Sequence, residues 1–131
     1  MRNITEVLAA ILLGGFLLCQ GCGTEVRGSD GDIEAKITDG TLTATMDRGI
    51  NQVFASVQEA VHQLGLTTVM AEQDGVGAEV LARDAQGQNI TIKLDPVSPN
   101  KTTLTMRFGI FGDNNKSGVV FRKIQENLRA G

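Results

Sequence analysis

The residue types able to do chemistry are few in this sequence. Cys19 and Cys22 stand in a C-x-x-C spacing. In a cytosolic protein that spacing suggests a redox pair or half of a metal site. A four-ligand zinc site needs two more Cys or His ligands, yet these are the two cysteines of the chain and His62 is its one histidine. Cys22 is followed by Gly23, so no C-x-x-C-H is present. His62 has Glu59 one helical turn before it. A general base there would also need a nucleophile, and Ser56, Ser98 and Ser117 have no nucleophile-elbow context. The stretch from Gly109 through Gly112 to Lys116 is loosely compatible with a phosphate cradle at a helix N-terminus. It matches neither glycine-rich phosphate motif, and a bend from strand into helix capped by Asp113 explains it more simply. Asp30 and Asp32 do not make a calcium loop, because Thr41 stands where the bidentate Glu belongs. These residues predict no catalytic set, no metal and no cofactor, and a chain that is not an enzyme.

Composition narrows the classes further. The chain has 131 residues, enough for one domain, with a 41% apolar share and a formal net charge of −3. That charge, without any block of like charges, argues against a nucleic-acid partner. Five Phe with no Tyr or Trp make the expected core aliphatic. Both cysteines precede residue 23, so no disulfide can staple the rest, which must stand on hydrophobic burial.

Residues 7–18 form an apolar run, VLAAILLGGFLL. A membrane-spanning helix needs about 20 apolar residues, whereas a signal-peptide core needs about 7–15. The following Leu18-Cys19-Gln20-Gly21-Cys22 resembles the lipobox of bacterial lipoproteins, in which a small residue precedes the modified cysteine. Gly21 fits; Cys19 stands where Leu is usual, and Leu18 lies one place early. The rival site, Cys19, would need a cut after Leu18, where a small residue is expected. The preferred reading is a signal peptide over residues 1–21 and a lipidated Cys22. The resemblance implies several acyl chains, and two or more hold a protein firmly to a membrane. Gly23 in place of Asp implies, by resemblance to sorting in Gram-negative cells, an outer-membrane destination facing the periplasm. Residues 22–38 mix Gly, Ser and charge and read as a solvated tether, with a reach of about 20–24 Å. The domain should occupy 39–131.

Within that domain, Leu42, Ala44 and Met46 alternate with Thr and predict a strand over 41–46. A helix should run from 48 to 64, with Asp47 as N-cap and Gly65 as its stop. Its stripe is Ile50, Val53, Phe54, Val57, Val61 and Leu64. His62 lies about 100° from the centre of that stripe, on the solvated flank. Strands are expected over 66–73, 77–83, 89–94 and 103–110, with Asp74-Gly75 a hairpin turn and 96–101 a loop. In the last strand Leu104, Met106, Phe108 and Ile110 share one face. A closing helix over 116–129 carries Val120, Phe121, Ile124 and Leu128, capped by Asp113, Asn114 or Asn115. The order β-α-β-β-β-β-α predicts an α+β two-layer sandwich. Its mostly antiparallel five-stranded sheet should carry both helices on one face.

Residues 39–129 resemble a family of short bacterial lipoproteins with a single domain of unknown function. The resemblance rests on Gly40-Thr41-Leu42-Thr43-Ala44-Thr45, on Leu64-Gly65-Leu66-Thr67, and most on Met106-Arg107-Phe108-Gly109-Ile110-Phe111-Gly112-Asp113. It implies a lipid-anchored envelope protein and supplies no activity or catalytic residue. The sheet face away from the helices should carry Thr43, Thr91, Lys93, Thr103, Thr105 and Arg107. Thr suits any exposed strand; the functional reading is a contact with an envelope protein, an envelope polymer or a second copy. The chain is thus expected to be a membrane-anchored structural or interaction module of the cell envelope. The alternative is a small-ligand module using a groove between the helices and the loop around Gly112.

Overall fold

The alternation in residues 101–108 governs the architecture. The structure is a computed structural model and describes residues 25–27 and 33–130. In the strand Lys101–Phe108, the residues Thr102, Leu104, Met106 and Phe108 are buried, while Thr103, Thr105 and Arg107 remain half-exposed on the opposite face. This strand, β7, pairs antiparallel with Thr41–Met46 (β3) on one side and Asn89–Ser98 (β6) on the other. Beyond β6 lie Ala78–Arg83 (β5) and the edge strand Thr67–Gln73 (β4). Beyond β3 lie Ile33–Thr38 (β2) and the three-residue Glu25–Arg27 (β1). The sheet order is β1-β2-β3-β7-β6-β5-β4, and every pairing is antiparallel.

The α+β class and the helix-and-strand order from residue 41 onward are as expected, but the sheet has seven strands rather than five. Ile33–Thr38 lay within the expected tether and is a strand. Asp39 (φ 49°) and Gly40 (φ 77°) form a two-residue turn with both residues left-handed, the geometry that closes a tight hairpin. It sets Ala35 opposite Ala44 and Ile37 opposite Leu42, on the core side. The expected signal peptide 1–21 with Cys19, the expected lipidation site Cys22, and residues 22–24 and 28–32 of the expected tether, with Asp30 and Asp32, lie outside the described residues.

Helix α1 spans Ile50–Gln63 and α2 spans Asn114–Ala130. Val53, Val57, Ala60 and Val61 of α1 join Val120, Phe121, Ile124 and Leu128 of α2 in one cluster with the buried face of β3, β5, β6 and β7. Both helices therefore cover one face of the sheet. The N-cap of α1 is Gly49, whose carbonyl takes the first helical bonds from Gln52 and Val53, and not Asp47. Asp47 instead faces Lys101 at 3.8 Å. The stop is as expected: Gly65, at φ 74°, donates to the His62 carbonyl while Leu66 donates to Val61. Those two bonds make a Schellman motif. Asp113 caps α2, its Oδ1 accepting the Lys116 N–H at 3.0 Å.

β6 and β7 differ most from expectation, β7 beginning at Lys101 rather than 103. β6 runs through Pro96 to Ser98, with an irregularity between those residues that accommodates the missing N–H. β7 stops at Phe108 because Gly109 turns the chain at φ 77°. Ile110, expected on the core face, is therefore 83% exposed.

Candidate functional site

The face of the sheet away from the helices is uncovered by any other described element. Antiparallel register arranges its side chains in rows. Thr43, Thr105 and Lys93 are cross-strand neighbours on β3, β7 and β6. The next row is Thr41, Arg107 and Thr91. A third joins Thr45, Thr103 and Asp95. The six residues expected on this face all lie on it.

A groove of about 700 Å³ crosses the first two rows. Of the expected residues it brings together Thr91, Lys93, Thr105 and Arg107, while Thr43 and Thr103 lie outside its lining. Thr41 completes the floor, Gln88 comes from the β5–β6 turn, Asn89 is the first residue of β6, and Ile110 and Phe111 come from the loop after β7. Sequence reasoning missed these additions. Two consecutive large apolar residues between Gly109 and Gly112 were the available sign for the loop; nothing local marks Gln88 or Asn89.

Arg107 builds the corner beside the groove. Its Nε and Nη2 donate to the Ile110 carbonyl at 3.0 and 2.6 Å. Its Nη1 donates to the Asp39 carbonyl at 3.0 Å and to Thr41 Oγ1 at 2.9 Å. One side chain thus fixes both the β2–β3 turn and the loop carrying Ile110 and Phe111. The two backbones meet directly at Gly40 and Gly112, both with left-handed φ. A Cβ on Gly40 would lie 2.5 Å from the Phe111 carbonyl oxygen, and one on Gly112 would run into the Gly40 backbone. Phe111 is held by this corner yet is 88% exposed.

On the helix side of the same strand end, Lys116 is consumed internally. Its Nζ reaches Asp84 Oδ2 at 3.1 Å, Gln88 Oε1 at 2.8 Å and Gln86 Oε1 at 3.3 Å, and stands 5.2 Å from the centre of the Phe108 ring. Burial raises the Asp84 carboxyl. The Gln88 N–H, Lys116 and the Gln86 N–H outweigh that and leave its pKa below the usual carboxylate value. With its lysine neutralised and Asp113 occupying the first turn, the Gly112–Lys116 stretch is the capped bend rather than a phosphate cradle. A second, smaller hollow of about 340 Å³ lies here, walled by Leu64, Leu66, Phe108 and Val120. The larger groove is on the opposite side of the sheet from the helices, not between the helices and the Gly112 loop.

The remaining candidates are scattered. His62 and Glu59 are exposed on α1, Ser56 and Ser117 face the core, and Ser98 is exposed at the end of β6. Among the described residues, no group of three or more His, Cys, Asp or Glu could hold a metal ion. Among the described residues, no helix is long and apolar enough to cross a membrane.

A family model described as "Protein of unknown function (DUF3568)" matches residues 5–127. The chain belongs to that family. The match takes in every element from β1 to all but the last turn of α2, and with it the Arg107 corner and the groove. No curated protein matches the chain.

Proposed function

We propose that the chain is a lipid-anchored protein of a bacterial cell envelope, held through Cys22, whose uncovered sheet face is its interaction surface. The observation that carries the interaction reading is the groove on the open face, with a polar floor and an exposed apolar wall built on a hydrogen-bonded corner. Folding alone has no use for 88% of Phe111 left in water. The anchoring reading is supported by the short apolar run before Gly21-Cys22. Gly23 supports an outer-membrane site facing the periplasm. On this reading the chain is a non-catalytic module whose partners are the membrane, through its lipid, and an envelope component or second copy, through the sheet.

A small-ligand reading is favoured by one specific feature. The groove volume falls inside the span of about 300–1,000 Å³ common to small-molecule sites.

Radiolabelled-palmitate incorporation with membrane fractionation tests the anchor in wild type, Cys22→Ser and Cys19→Ser. Loss of label and of membrane association in Cys22→Ser alone supports it; an unlabelled wild type refutes it. Photo-crosslinkers at Thr91 and Thr105 in intact cells should trap an envelope component, while crosslinkers on α2 should not.

A further inference from the structure

The polar groups left over in the groove include several hydrogen-bond donors. Gln88 Oε1 accepts from Lys116, and Asn89 Oδ1 accepts from the Arg83 Nε at 3.0 Å. Each amide oxygen is thus engaged by a cationic donor, while the two NH2 groups make no hydrogen bond among the described residues and remain as donors. The hydroxyls of Thr91 and Thr105 have no hydrogen-bond partner among the described residues and can donate as well.

The charges agree. The lining contains Lys93 and Arg107 and no carboxylate, in a chain of net charge −3. The hydrogen-bond partners of Arg107 are two carbonyls and a hydroxyl, all neutral, so its charge is not cancelled where it sits. Lys93 makes no hydrogen bond or ion pair among the described residues. Its register partner on β5 is Glu79, which is not within ion-pair distance. The groove therefore asks for a ligand that is anionic and rich in acceptors. Beside that floor stand Ile110 and Phe111, 83% and 88% exposed, which ask for an apolar face on the same ligand.

We propose that this groove binds an acidic glycan, a sugar chain carrying carboxylates. The carboxylates lie against Lys93 and Arg107, the carbonyl and ring oxygens take the Asn89, Gln88 and Thr donors, and the C–H face of a ring packs on Phe111. An extended peptide fits less well. Strand addition needs free backbone groups at a sheet edge, whereas the floor is made of β3, β7 and β6, whose backbone groups are spent on one another. The inference rests on the interaction-surface reading above, but not on the lipid anchor.

The test is isothermal titration calorimetry on the full-length protein in lauryldimethylamine oxide micelles. The probes are a hyaluronan octasaccharide, which alternates glucuronate with N-acetylglucosamine, and a neutral chitin oligosaccharide. The acidic chain should bind, and the neutral chain should bind about tenfold more weakly or not at all. Lys93→Gln and Phe111→Ala should each weaken the acidic chain by about fivefold to tenfold. Lys123→Gln, on α2 and paired with Glu126 away from the groove, should leave binding unchanged. Absence of binding by either sugar, equal binding of both, or indifference to both groove variants overturns the proposal. Tighter binding of an oligoglutamate peptide than of the octasaccharide also overturns it, in favour of an acidic peptide. The outcome is separable from the crosslinking at Thr91 and Thr105: a protein that crosslinks an envelope component there but binds no glycan keeps the interaction surface and loses this inference, whereas one that does neither loses both.

Discussion

The two faces of the sheet are made by the same strands and follow opposite rules. On the helix side Leu42, Ile92, Leu104 and Met106 are essentially inaccessible, and the one buried hydroxyl of β7, on Thr102, donates to the Arg48 carbonyl at 2.8 Å. On the other side Thr43, Lys93 and Phe111 are exposed and no described element covers them. Strict alternation explains how both arise from one stretch of chain: each residue committed to the core frees its neighbours from folding duty. The face relieved of that duty is where function can be written.

The largest break between the faces should come from two residues of one type. Phe121 of α2 is wholly buried and Phe111 is almost wholly exposed. Phe121→Ala removes a core ring and leaves a cavity, and should cost about 3–5 kcal/mol in chemical denaturation. A loss under about 1 kcal/mol would mean that the helix layer is not packed as described.

Gly112→Ala tests whether the corner joining the faces is rigid. The new Cβ would demand a left-handed backbone and meet the Gly40 backbone at once. Strain plus overpacking should total about 2–4 kcal/mol. Little destabilisation would show that the loop bearing Ile110 and Phe111 can lift away, and the groove wall would then be a mobile one.

Much of the covered face was legible in the sequence. The stripes of α1 and α2 and the alternation of β3, β6 and β7 are local patterns, and the core uses them directly. What was missed is of two kinds. Asp39-Gly40 was a readable hairpin sign, with Ile33, Ala35 and Ile37 alternating before it, but the surrounding Gly, Ser and Asp made the segment look solvated. The second kind is not local at all. Arg107 meets Asp39 across 68 positions and Lys116 meets Asp84 across 32, and no spacing rule connects them. On the candidate site, alternation placed Thr91, Lys93, Thr105 and Arg107 on one face, while the groove itself depends on a turn and a loop whose approach only the folded chain reveals. Ile110 was misplaced because a left-handed Gly109 ends the alternation one residue before it.

Smaller effects sharpen the contrast. Ser117 Oγ, on the covered side, is the buried side-chain polar atom without a partner among the described residues. Ser117→Ala should raise stability by about 1 kcal/mol, since it removes an unsatisfied hydroxyl from the interior and improves helix propensity. A destabilised variant would indicate that the hydroxyl has a partner.

Asp84 gives the contrast a pH dependence. Its folded pKa lies below its usual value, so its contribution is present above the unfolded pKa of about 3.9 and is lost as pH falls through the lower folded value. Asp84→Asn should lower Tm at pH 7, and the gap from wild type should close as the pH drops below about 4. A gap independent of pH would assign the effect to the turn's neutral hydrogen bonds rather than to the charge facing Lys116.

The smallest expected change completes the pair of phenylalanines. Phe111→Ala should alter stability by no more than about 0.5 kcal/mol, because a side chain 88% in water has little burial to lose. The same should hold for Lys93→Gln, which breaks no ion pair. Urea denaturation of both variants beside Phe121→Ala checks this. If Phe111→Ala proved as costly as the core substitution, the ring would be serving the fold, and its exposure could no longer be read as a place kept for a partner. If it proves neutral, any loss of crosslinking or sugar binding in that variant is a loss of contact alone. The two faces would then be separable by experiment as they are by geometry.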